Sequence, residues 1–168
     1  MNYKQNYHQI ILVLLLLTFM ISMVAPTFGA TVVLQNWDLV DSGKHLDWGG
    51  STAYQSEFNS SVTTWNNYKS GVIRKDSVLN LKDVTISDYS AVDGKAGVTS
   101  SSGTLKFNKY YMVDFNTNVR KNVCTHELGH ALGLDHNQQG DVMHSQVTSV
   151  CTLSANDKAS YDAAYSNY

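Results

Sequence analysis

Proline is almost missing from this 168-residue chain, with Pro26 alone, and glutamate and cysteine occur twice each. So little proline excludes a Pro-rich linker or a long disordered tail and suits one globular domain. Charge does not accumulate in either sign: the formal net charge is -2, which excludes a nucleic-acid or other polyanion binder by composition. The chain also lacks internal repeats and low-complexity segments, so it is not a repeat array. What it does have is 43% hydrophobic residues, enough for one buried core.

Long hydrophobic runs are absent apart from one near the N-terminus. Lys4 provides a positive start, residues 10–24 are apolar except for Thr18 and Ser22, and small residues follow at Ala25, Gly29 and Ala30. This order predicts an export signal over residues 1–30, cleaved after Gly29 or Ala30, and a mature domain over residues 31–168. A membrane span needs about 20 apolar residues, more than this run supplies, and the alternative to cleavage is retention of the segment as an anchor. No cysteine lies in or just after the run, so lipid modification there is excluded. The expected product is secreted and extracellular, without stable membrane association, and a monomer.

The two cysteines are Cys124 and Cys151. In an exported chain an even count favours a disulfide, and a loop of this length would contribute on the order of 3–4 kcal/mol. The alternative is two separate buried thiols.

Along the mature chain, Thr52 and Gln55 fit a capping box. Tyr54, Phe58, Val62, Trp65 and Tyr68 then recur at helical spacing until Gly71, predicting an early helix with an aromatic core stripe. Residues 78–86 and 105–112 are rich in β-branched and aromatic side chains and read as strands, with a short edge strand over 96–99. A second helix is expected from about Asn118 to Gly133, and a C-terminal helix from Ser154.

The scarce residues converge on one stretch, "THELGHALGLDHNQQGDVMHS", residues 125–145, which holds four of the six histidines and one of the two glutamates. His126 and His130 are four apart on the second helix, so both imidazoles leave one face about one turn apart. A chain reversal at Gly133 would bring His136 to them. Three imidazoles with a fourth position open is a catalytic zinc arrangement, and the expectation is one catalytic zinc ion. Glu127, beside that open position, is the candidate general base. For this composition, H-E-x-x-H arises by chance in about two chains in a thousand, before Gly133 and His136 are required as well. His45 has no second ligand near it and is expected to be a satisfied core histidine.

His126, Glu127, His130, Gly133 and His136 match every fixed position of H-E-x-x-H-x-x-G-x-x-H, and the stretch resembles the metzincin zinc endopeptidases. The resemblance implies that Met143 forms a methionine turn beneath the imidazoles. It also implies an α+β fold: a small mixed twisted sheet with an early helix, an active-site helix and a C-terminal helix. The short link from His136 to Met143 looks most like the matrixin branch, which further implies that residues 96–99 pair with an extended polypeptide substrate and that residues 145–150 wall the pocket. The chain departs from that branch in having His144 and Ser145 after Met143, too few upstream histidines for a second zinc and no cysteine-switch propeptide. Twelve aspartates could serve structural calcium, but no D-x-D-x-D-G loop is present to hold it.

Two other classes stay open at this stage. One is an exported binding module in which zinc only holds the fold. The other is a zinc hydrolase of a non-peptide amide or ester, because the metal chemistry is shared.

Overall fold

Hydrophobic stretches too short to stand alone pair into a five-stranded sheet in a computed structural model that describes residues 29–79 and 81–168. The expected export signal lies almost wholly outside the described residues. The strands are β1 (Leu46–Gly50), β2 (Ile73–Lys75), β3 (Val84–Tyr89), β4 (Gly97–Ser100) and β5 (Thr104–Asn108). Their spatial order is β2-β1-β3-β5-β4. All neighbours are parallel except β4, which runs antiparallel to β5 at one edge.

Among the described residues four helices accompany the sheet: α1 (Gln55–Asn66), the single turn α2 (Lys109–Met112), α3 (Thr117–Ala131) and α4 (Ala155–Asn167). The aromatic stripe enters the core at Tyr54, Phe58 and Trp65, whereas Tyr68, beyond the end of α1, is exposed. Phe58 meets Trp48 edge-on at 5.0 Å between ring centroids and Phe107 at 6.2 Å, while Trp65 meets Tyr161 of α4 at 5.3 Å. Trp65 also donates its indole N–H to the carbonyl of Thr125 at 2.9 Å, which ties α1 to α3 just before the first motif histidine. A buried indole needs such a partner. Among the described residues no helix is long and apolar enough to cross a membrane.

The α+β expectation, the three long helices and the edge strand are present, with several shifts. The early helix has Tyr54 at its N-cap and no side-chain cap. Thr52 instead donates its hydroxyl to Asp88 at the end of β3, and Ala53 N–H follows to the same carboxylate. The strand expected over 78–86 begins only at Val84, where pairing with Trp48 starts. Val78, Leu79 and Leu81 are 99%, 93% and 85% exposed, so their apolar character reflects no burial. The strand expected over 105–112 stops at Asn108, whose side chain accepts from Tyr110 N–H and starts α2. The fully buried Asn108 carboxamide also donates to the carbonyls of Ala91 and Lys95, pinning the loop that leads into β4. His45 is half-buried beside Asp41 rather than in the core.

Cys124 and Cys151 do not pair: both are free thiols. Cys151 directs its thiol to the carbonyl of Asn118 at 3.2 Å. Asn118 lies six residues before Cys124 on α3, which is about 9 Å along the axis and about a third of a turn around it. A disulfide needs Cα atoms within roughly 7 Å. Cys124 is fully buried, and burial pushes its thiol well above the ordinary cysteine value.

Candidate metal centre

Helix α3 starts where Asn116 accepts from Val119 N–H, and it carries His126, Glu127 and His130. Beyond Ala131 the backbone turns at Gly133, whose φ of 86° is in the left-handed region that glycine adopts without a Cβ clash. The reversed segment is held by Leu134 N–H donating to Gly129 O at 3.0 Å. It also pairs with the N-terminal strap, where Gln35 N–H donates to Gly133 O at 2.8 Å and Asp135 N–H to Val33 O at 3.2 Å. The result places His136 against the other two rings. Centroid separations are 4.6 Å for His126–His130, 5.2 Å for His126–His136 and 5.0 Å for His130–His136. One ligating atom from each lies within 4.8 Å of the others.

The second ring nitrogens decide whether these imidazoles suit a metal. His126 Nδ1 lies 3.0 Å from the carbonyl of Val142, and His130 Nδ1 lies 2.9 Å from that of Leu134. A carbonyl only accepts, so each Nδ1 carries the proton and each Nε2 keeps its lone pair for an ion. The carboxamide of Gln35 makes a second polar contact with His130 Nδ1, at 2.6 Å. Burial pushes the His126 ring down to about 3, helped by its neighbour His130, and burial also lowers His130. Both therefore stay neutral, the ligating form. Three imidazole nitrogens with no thiolate among them fit zinc.

Glu127 is 6% exposed. Its carboxylate accepts from the Thr99 hydroxyl at 2.6 Å. Burial raises its carboxyl to about 7 despite that hydrogen bond, which works the other way. The three histidines and Glu127 line one cleft of about 410 Å³, which residues 97–99 of β4 and Ser145, Gln146 and Val147 also line.

Met143 is buried, and its thioether packs against Gly129, between the two helical histidines. The turn hangs from Asp157 in the first turn of α4. That carboxylate accepts from Val142 N–H at 3.0 Å, Met143 N–H at 3.1 Å and Ser154 N–H at 2.8 Å. Since the carbonyl of Val142 orients His126, the start of α4 bears on a motif histidine through one residue.

Sequence reasoning passed over Asp157, Thr99 and Gln35. The spacing Ser154-x-x-Asp157, a capping box, marks Asp157 in the sequence, but nothing local marks the other two. His144 lines the cleft but is outside the histidine cluster. A separate group, Asp41, Asp47 and Asp83, is satisfied within the fold: Asp47 forms a two-pronged pair with Arg74 at 2.8 and 2.7 Å, and Asp83 accepts from Asp47 N–H.

Three clustered imidazoles, a buried glutamate next to the first and a buried methionine packed against their helix define a metallopeptidase type of centre. Residues 54–167 match the peptidase family described as pregnancy-associated plasma protein-A. The match spans more than half of the chain, which belongs to that family, a zinc peptidase family of the metzincin type. It shares that type with the matrixin branch suggested by the link from His136 to Met143. No curated protein sequence matches the chain. Among solved structures, the chain is similar to high choriolytic enzyme 1, a hatching enzyme zinc-protease from the medaka fish Oryzias latipes. The likeness covers 58% of this chain and 48% of that one, at 18% identity and a TM-score of 0.35. The chain thus spans about half the length of that enzyme.

Proposed function

We propose that this chain is an exported zinc endopeptidase that cuts extended polypeptide, with His126, His130 and His136 as the metal ligands and Glu127 as the general base. The observation that carries the reading is the Glu127 carboxylate, outside the ligand cluster yet in the wall of the same cleft. A bound zinc ion supplies Lewis acidity, which acidifies water and polarises a carbonyl. Glu127 takes the proton of the attacking water and returns it to the leaving amine. Among the described residues strand β4 pairs only with β5, so its outer edge is available to an extended peptide in the cleft that residues 145–147 also line.

The test compares wild type with Glu127→Ala and His126→Ala for zinc content, thermal midpoint and cleavage of an internally quenched peptide library. Glu127→Ala should keep its zinc and lose cleavage by at least about 10²–10⁴-fold. His126→Ala should lose metal and cleavage together. A wild type that holds zinc but cuts nothing, and that Glu127→Ala matches, would leave a zinc-held binding module or a non-peptide hydrolase. Export is supported by the order of residues 1–30, a positive start, an apolar run and small residues after it. N-terminal sequencing of the extracellular protein should begin near Ala30 or Thr31; a product retaining Met1 would contradict it.

A further inference from the structure

We propose that Thr99, on the edge strand β4, is a positioning residue for Glu127: its hydroxyl holds one carboxylate oxygen and leaves the other to take up the proton. The inference rests on the reading of Glu127 as the base. Thr99 Oγ1 lies 2.6 Å from Glu127 Oε2 and 3.0 Å from the Glu127 carbonyl oxygen. A hydroxyl has one proton to give, and the nearer, charged oxygen is the stronger acceptor. Among the described residues Oε1 takes no hydrogen bond. The same strand touches the base a second time, at Gly97. A Cβ there would be 2.7 Å from Glu127 Cγ and 2.7 Å from Oε1, so the carboxylate lies against bare backbone.

A glutamate has three side-chain torsions, and burial alone does not select one carboxylate orientation. The two contacts from β4 do: Gly97 sets how closely the carboxylate approaches the strand, and Thr99 sets its rotation. Oε2 is thereby engaged before substrate arrives. The strand whose outer edge would bind peptide also places the base, so substrate register and base position are set by one element.

Valine has the shape and strand preference of threonine without the hydroxyl, and serine keeps the hydroxyl, so the two variants separate packing from hydrogen bonding. The chain has only two glutamates, Glu57 and Glu127, so glutamate labelled with ¹³C at the carboxyl gives two resonances, assigned with Glu57→Gln. In Thr99→Val the Glu127 resonance should move and that of Glu57 should not, whereas Thr99→Ser should resemble wild type. On zinc-loaded protein of unchanged metal content, Thr99→Val should lower kcat roughly ten- to a hundred-fold, the scale of a hydrogen bond to a charged group, with KM changed less than about twofold. Thr99→Ser should recover most of that loss. An unmoved Glu127 resonance in Thr99→Val, a Thr99→Ser as slow as Thr99→Val, or a loss confined to KM would overturn the proposal. If wild type cuts no peptide, the reading of Glu127 as a base fails, and the resonances still show whether Thr99 holds the carboxylate.

Discussion

Replacing Gly129 by alanine sets helix propensity against packing. Inside a helix the change is worth about 1 kcal/mol in favour of alanine. At this position, however, the new Cβ would overlap Met143 Sδ and sit 3.2 Å from Met143 Cε and 3.1 Å from Trp65 Cζ2. Neither neighbour has room to withdraw. Met143 is 1% exposed with its backbone N–H on Asp157, and Trp65 is fully buried with its indole on Thr125. Overpacking a tight core costs about 1–3 kcal/mol, and an overlap this close belongs at the upper end. Packing therefore outweighs propensity, for a net loss of about 1–2 kcal/mol. For a domain of this size that lowers the thermal midpoint by about 3–8 °C. Because Gly129 lies in the turn between His126 and His130, zinc affinity measured by chelator competition should also fall, by about tenfold or more. Calorimetry of Gly129→Ala, Met143→Ala and the double variant isolates the contact. With Met143 truncated, Gly129→Ala should raise the midpoint instead. A rise in the single variant would refute the reasoning, since Met143 would then be free to move aside.

Two further expectations follow from buried polar groups. Asp157→Ala removes the acceptor of three N–H groups, two of them fully buried, and should cost about 3–5 kcal/mol in urea unfolding, with Asp157→Asn costing less. Equal losses for the two would mean that the carboxylate's acceptor role is not what matters. In metal-free protein, His126 titrates near 3 and His130 below the ordinary 6.5, so their contribution to stability is present above about pH 6.5 and lost as pH falls towards 3. Glu127, raised from 4.5 to about 7, contributes in the opposite sense: its share is present below about pH 4.5 and lost as pH rises through 7. Thermal scans of chelated protein should therefore show a steep fall in midpoint below about pH 4.5, and Glu127→Gln should gain on wild type above about pH 7. A midpoint independent of pH across that range would contradict both assignments.

Much of the centre was legible before any fold was known, because its information is local. Residues four apart on a helix share a face whatever surrounds them, so His126 and His130 could be paired from spacing, and a glycine three residues beyond His130 marked the reversal that His136 needs. The aromatic stripe of α1 and the start of α4 at Ser154 were equally local. Where local preference met a distant competitor it lost: Asp88 captured the Thr52 hydroxyl, and Asn108 turned a strand into a helical start. Val78, Leu79 and Leu81 have strand-like composition and are exposed, because composition does not reveal whether a segment finds a neighbour to pair with. The two cysteines shared a plausible loop length, but loop length does not reveal that Cys124 is buried within α3 while the Cys151 thiol meets the helix further back, at Asn118.

What the sequence determined by itself was the kind and order of the chemical groups: three imidazoles, one carboxylate, and a methionine to follow. Only the tertiary structure decided how those groups are held. Thr99 reaches Glu127 from 28 residues away, Gln35 reaches His130 from 95, and Asp157 carries the methionine turn from the start of the last helix. Each of these contacts joins elements whose relative placement comes from packing of the sheet and helices around a common core. No periodicity or spacing in the chain encodes such a distance; it exists only once the core has formed.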